Sequence, residues 1–463
     1  MNVAIDSTWI YQFNNALAAL ATPAGMIAIA IGVILLFLSL AFRNARMFVM
    51  SLMLWTASLG YYSAGRILVA PFEQIRTYGR GITTALLMIL LIPALAAQKG
   101  WRRRALSGAA LAFFIFEAVF TFREVLAGEA SGGGFGRFAL GSILYTLTFI
   151  VLAYGLPRWI QSPDDFQRAI NAVGITAAIF CGVTFLQTMV NRAVIVDGNG
   201  RLFGTTGNPQ HCAVELALML TPLCYLVAGK GQKVIMRVLF GCVAAVAGIF
   251  LLWTGSRTGV LMALVGLVVM FRYRMGRLML LASFAALFVM MFLSIYSTED
   301  VVSEHLTSGE DTRSAIWEGQ FQGFLAHPIL GSDEGAFGYS ENSYLATGAR
   351  YGLVGVVPLL VFMWFGFRAI RRLSRAKRNL GDMRLAADMV LGNLLSLAVG
   401  AWFEAYLLGV LTMMVYMIYI DFALMNSLID IAEVKSVQPH AFEPAMTEEQ
   451  QAYAGYAPVA EAF

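Results

Sequence analysis

Thirteen apolar stretches recur along this chain, at about 23–42, 47–65, 81–97, 105–122, 139–156, 170–190, 212–228, 238–254, 259–271, 279–295, 351–367, 386–401 and 407–423, and nothing else in it constrains the fold as much. The hydrocarbon core of a bilayer is crossed by about 20 apolar residues of helix. Backbone polar groups inside it must be paired within the segment or in a closed barrel. Uninterrupted apolar runs of this length predict helices. The charge content agrees: only 13% of the residues are charged and 59% are hydrophobic, where a soluble domain carries about 25% charge. The expected fold is therefore all-α, a polytopic membrane bundle of 12–14 transmembrane helices, the last two stretches being one run divided around Trp402, Phe403 and Glu404.

Lys and Arg give the bundle a direction. The alternate loops holding Arg43/Arg46, Lys99 with Arg102–Arg104, Arg158/Arg168, Lys230/Lys233/Arg237, Arg272/Arg274/Arg277 and Arg368–Arg384, with the tail, carry 22 of the 32 basic residues. That bias places these loops and the C-terminus in the cytoplasm. The basic clusters thus read as topological determinants in contact with membrane lipids, and no nucleic-acid partner is expected. The organisation expected is a first group of helices over 1–190, a second membrane unit over 191–423 that includes a long external loop at 296–350, and a disordered cytoplasmic tail over 424–463. The four cysteines, Cys181, Cys212, Cys224 and Cys242, lie in or beside apolar runs with no metal spacing and read as small buried hydrophobes.

The external end holds the unusual residues. Trp253-Thr254-Gly255-Ser256-Arg257-Thr258-Gly259 is a tight turn between two apolar runs. Two readings of Arg257 stand here: a side chain that snorkels to headgroups, or an anion ligand beside the free N–H groups of a helix start, with Ser256 adding a hydrogen bond. Arg201 precedes a glycine-rich turn ending at Asn208-Pro209, after which His211 stands at a helix entrance, as a structural hydrogen bonder or a catalytic group. Glu215, one turn on, pairs with Arg201 or His211 on this reading. Glu117 faces the bundle interior, and Glu404 is read as an external surface residue. The long loop is expected to hold a helix near 312–321, capped by Asp311 and containing Arg313, and a second helical start at Glu341-Asn342. No nucleotide or metal motif is present, so neither a cofactor nor a metal is expected.

Four pieces stand in order: Gly204-Thr205-Thr206-Gly207-Asn208-Pro209; Thr254-Gly255-Ser256-Arg257-Thr258-Gly259; Arg313-Ser314-Ala315-Ile316-Trp317-Glu318 followed by Pro328-Ile329-Leu330-Gly331; and Asn342-Ser343-Tyr344-Leu345-Ala346 followed by Gly352-Leu353-Val354-Gly355. Over about 195–400 the chain resembles the O-antigen ligase and polysaccharide polymerase family of bacterial inner membranes. The resemblance implies a helical bundle with a large periplasmic loop and no metal. The donor it implies is an undecaprenyl-diphosphate-linked oligosaccharide, and the acceptor a glycan or lipid-linked glycan. Chain-length regulator and export proteins are further partners of such a system.

By the same resemblance Arg257 and Arg313 hold the diphosphate, with Arg201 beside them and Ser256, Asn342 and Arg350 in the substrate site. The family usually has His-Asn where this chain has Glu341-Asn342, and an acidic residue where it has Arg350. Glu341 therefore takes the place of the general base, with His211 the other candidate. The reaction implied is polymerisation of repeats into an exopolysaccharide, capsule or O-antigen. The alternatives are ligation onto a lipid A-core acceptor, and transport or flipping of a lipid-linked glycan.

Overall fold

A computed structural model describes residues 22–59, 79–96, 107–129, 142–192, 195–229, 231–273, 314–332, 342–408 and 412–437. The chain is an all-α polytopic membrane bundle, and the described part contains one isolated bridge, Val196 to Leu202, in place of any sheet. In chain order the helices are α1 (Pro23–Ala41), α2 (Arg43–Ser58), α3 (Gly79–Ala96), α4 (Gly108–Glu129), α5 (142–159), α6 (Pro163–Val190), α7 (Pro209–Ala228), α8 (Val234–Trp253), α9 (Arg257–Phe271), α10 (Ser314–Ala326), α11 (Ser343–Ala376), α12 (Arg384–Phe403) and α13 (Met413–Val437). Twelve of the thirteen apolar stretches overlap helices; the other, 279–295, lies outside the described residues. Among the described residues six helices are long and apolar enough to span a membrane, and α1, α3, α4 and α9 contribute shorter apolar segments.

Burial separates a centre from a lipid-facing rim. The apolar window of α13 is 89% buried and those of α7 and α12 78%, against 11% for α11 and 22% for α8. Without a hydrophobic driving force between helices in lipid, close approach rests on small residues. Gly392 of α12 meets the main chain of Gly266 in α9, Gly266 meets Thr221 of α7, and Gly259 meets Ala213 of α7. Ser396 adds a 2.8 Å hydrogen bond to the Met262 carbonyl. Helix α5 contains a π-turn at Phe149–Gly155, and α13 runs to Val437 with Leu428, Ile429 and Ala432 buried. The residues just after 424, expected to belong to a disordered tail, are thus part of the bundle.

Among the described residues the two ends of the bundle differ in their charges. At one end Asp165 accepts from Arg43 at 2.8 Å and Arg168 at 2.7 Å, and Asp388 from Arg272 at 2.7 Å and Lys377 at 2.5 Å. Each nearly buried carboxylate takes two cations, so these basic residues are structural partners as well as charges in loops. At the other end lie the starts of α7, α9 and α11 and the finishes of α6, α8 and α12.

Candidate functional site

Three helices start at that end on a side-chain cap drawn from the motifs. Asn208 Oδ1 accepts the N–H of Gln210 and His211, with Pro209 as the first helical residue. Ser256 Oγ accepts from Gly259 N at 3.3 Å, and Asn342 Oδ1 from Tyr344 N at 2.9 Å and Leu345 N at 3.0 Å. These caps satisfy orphan donors of the first turn. Part of the work expected of Ser256 and Asn342 on a substrate therefore goes to the helices. The Asn342 Nδ2 group, by contrast, is buried with no hydrogen-bond partner among the described residues.

The 195–208 loop is stitched to the α8–α9 turn. Leu202 N donates to the Trp253 carbonyl at 3.1 Å, Trp253 Nε1 to the Gly200 carbonyl at 3.1 Å, and Arg201 Nε to the Thr254 carbonyl at 2.8 Å. Asp197 Oδ1 holds the Arg201 N–H at 2.9 Å. Arg201 is partly buried, and desolvation pulls its pKa below the usual range while Asp197 and Glu404 oppose that shift. Arg257, the first residue of α9, is exposed, and its neighbours Thr254, Ser256 and Thr258 are buried. The first turn of α7 packs here too, since Gly259 lies against Ala213. His211, Arg201, Ser256 and Arg257 thus share one neighbourhood.

Glu404 joins it to the α11 start. It is buried at 6% exposure as the C-cap of α12, close enough to Arg201 for their charges to interact. Its carbonyl accepts from Ser343 Oγ at 2.6 Å. Tyr406, whose hydroxyl donates to the Leu397 carbonyl, has its pKa raised by burial, and Tyr344 and Glu404 add to the shift. The sequence reading of Glu404 as a surface residue is corrected: it is a buried carboxylate beside an arginine. Glu215 is buried as well, but it makes no ion pair with Arg201 or His211 among the described residues.

Helix α10 covers this end. Trp317 lies edge-on to Trp402 at 6.4 Å and near Phe403, while Trp402 also packs on Tyr344. The turn that follows α10 docks into a break in α11. Gly352 has φ 56° and ψ −151°, which frees local helix hydrogen bonds. Leu353 N then donates to the Pro328 carbonyl at 2.8 Å, Val354 N to the Ile329 carbonyl at 3.3 Å, and Ser332 N to the Ala349 carbonyl at 2.9 Å. Any Cβ on Gly331 or Gly352 would strike the opposing main chain. The Pro-Ile-Leu-Gly and Gly-Leu-Val-Gly motifs are two halves of one joint.

Arg313 and Glu341, with the proposed Asp311 cap, lie outside the described residues. Arg350 is half-buried at the α10–α11 joint, where its main chain meets Gly331. Trp317 Nε1 and Gln320 Oε1 are further buried polar atoms without a partner among the described residues. Sequence reasoning passed over Trp317, Gln320 and Glu404 as site residues; the available signal was the position of Glu404 between two apolar runs at the motif-bearing end. No model of a known protein family matches the chain, and no curated protein matches it either. The family resemblance therefore rests on the motifs, their order and their spacing.

Proposed function

We propose that this chain is a membrane glycosyltransferase-type polymerase joining undecaprenyl-diphosphate-linked oligosaccharide repeats on the periplasmic side of a bacterial inner membrane. One observation supports the reading above the others: Arg201 bonds to the turn that presents Arg257 at the start of α9, and the Asn342-Ser343 start of α11 meets the same end through Glu404. In the reaction an acceptor hydroxyl attacks the anomeric carbon, the bond from that carbon to the phosphate oxygen breaks, and the bonding pair leaves with the diphosphate. Negative charge grows on the leaving group, so fixed cations stabilise the transition state more than the ground state. Arg257 and Arg313 serve that charge, and Arg201, held by Thr254 and facing Glu404, shapes the turn. Glu341 takes the hydroxyl proton. A single displacement inverts the anomeric centre.

The test is the carrier-linked intermediate that accumulates when the gene is deleted. Single repeats on the carrier are the expected result. Finished chains on the carrier would make the protein a ligase instead, and no accumulated intermediate would sink the reading. The competing class, a transporter or flippase, draws on Glu117, which is fully buried in α4 beside Tyr145 in a cluster that includes Tyr416 and Tyr419. Buried carboxylates of this kind line proton and substrate paths in transporters.

A further inference from the structure

A cavity lies at the opposite end from the motifs. It has a volume of about 510 Å³ and is lined by Arg368, Arg371, Arg372 and Arg375 of α11, Ser107 and Gly108 at the start of α4, and Asn426 and Ile429 of α13. The arginines fall at helical spacing i, i+3, i+4 and i+7, so they form one stripe. All four are exposed, and Arg372 pairs with Glu433 at 2.5 Å, both side chains being more than half exposed. An exposed pair of this kind contributes little. The nearby turns of α13 also carry Asp430 and Glu433, and four guanidinium groups outnumber them.

The same stripe changes character toward the middle of the helix. Val357, Val361, Trp364 and Phe365 are exposed apolar residues, followed directly by the arginines. That change marks the boundary between hydrocarbon and headgroup, where tryptophan and arginine concentrate. The start of α4, capped by Ser107 Oγ, adds the partial positive charge of a helix N-terminus at the cavity wall. Gly108 brings that start against the Phe365 ring; a Cβ there would come within 2.9 Å of it. The cavity is therefore a cationic pocket whose open side continues onto a greasy helix face.

We propose that this pocket binds the phosphate of an anionic phospholipid, whose acyl chains lie along the exposed apolar stripe of α11. A bidentate guanidinium suits a phosphate, and a diester with tails uses both halves of the stripe, which a soluble phosphate cannot do. The bound lipid bridges α4, α11 and α13 at the end remote from the candidate site, and this inference does not depend on glycan transfer.

Native mass spectrometry on the delipidated full-length protein tests it, by titration with phosphatidylglycerol, phosphatidylcholine or inorganic pyrophosphate. Wild type should bind phosphatidylglycerol in clear preference to phosphatidylcholine, with pyrophosphate a poor competitor. The Arg368→Gln/Arg371→Gln/Arg375→Gln variant should bind phosphatidylglycerol about a hundredfold more weakly, since each basic side chain near anionic lipid contributes about fivefold. The corresponding triple lysine variant, which keeps the charge and loses the bidentate geometry, should recover part of the binding, and Lys233→Gln, outside the pocket, should leave it unchanged. Equal binding of the two lipids by wild type would overturn the proposal without reference to any variant. Undiminished binding by the folded glutamine variant would overturn it as well. Pyrophosphate that binds as tightly as phosphatidylglycerol and displaces it would assign the pocket to a soluble phosphate and defeat the lipid.

Discussion

Ser256 and Arg257 are neighbours with separable duties. The serine caps α9 from within the protein, whereas the arginine projects from the first helical position. Ser256→Ala should lower stability by about 1 kcal/mol, the usual cost of a lost cap, and leave the turnover of folded protein within a few-fold of wild type. Arg257→Ala should act chiefly on rate: repeat extension down by about a hundredfold or more, as for loss of one preorganised electrostatic donor. Comparing melting temperature with rate for the two variants checks both. Arg201→Ala should combine the effects, because the Thr254 carbonyl loses a charged donor worth about 1.5–3 kcal/mol. The place of Arg257 at a helix start was legible in the sequence, as a cation between hydroxyls and glycines ahead of an apolar run. The caps were legible too, as Asn or Ser before an apolar run, yet Ser256 and Asn342 were assigned to the substrate because an N-cap and an anion ligand use the same residue types. The burial of Glu404 was not legible, because it depends on α10 packing Trp317 over the end of α12.

Among the elements, the joint between the α10 turn and α11 is the least replaceable. Gly352 adopts a conformation open to glycine almost alone, and the Ile329 carbonyl carbon would stand 2.5 Å from a Cβ at that position. Gly352→Ala should therefore cost at least about 1–3 kcal/mol, read as a drop in the unfolding midpoint, while Gly319→Ala on the open face of α10 should not. Apolar periodicity found nearly every helix. It missed the break in α11, since the partner of that break lies in a separate segment and the sequence shows only two glycine-rich motifs. It also stopped the last helix short: once the apolar run ends, nothing local distinguishes a buried helical continuation from a tail.

On the scale of the whole molecule, the described charges fall into two groups, the Asp165 and Asp388 ion pairs at one end of the bundle and Arg201, Arg257 and Glu404 at the other. The bias in Lys and Arg predicts which end faces outward, and single cysteines at Asn199 and Arg378, introduced after replacement of the four native cysteines, check it. An impermeant maleimide should label position 199 from the periplasmic side and position 378 only after the membrane is opened; the converse pattern would invert the bundle. Overall architecture was the most legible level, because a bilayer leaves few solutions for so apolar a chain. The proposed chemistry at one end was legible only as separate motifs, since the contact of the Arg201 loop with the Thr254 turn depends on how the helices pack. The most direct test of that chemistry is repeat extension by purified protein in proteoliposomes supplied with undecaprenyl-diphosphate-linked repeats and no nucleotide. A ladder of longer carrier-linked glycans that disappears with Arg257→Ala is the predicted result. Repeats that cross the bilayer without growing, or a ladder that Arg257→Ala leaves intact, would contradict the account.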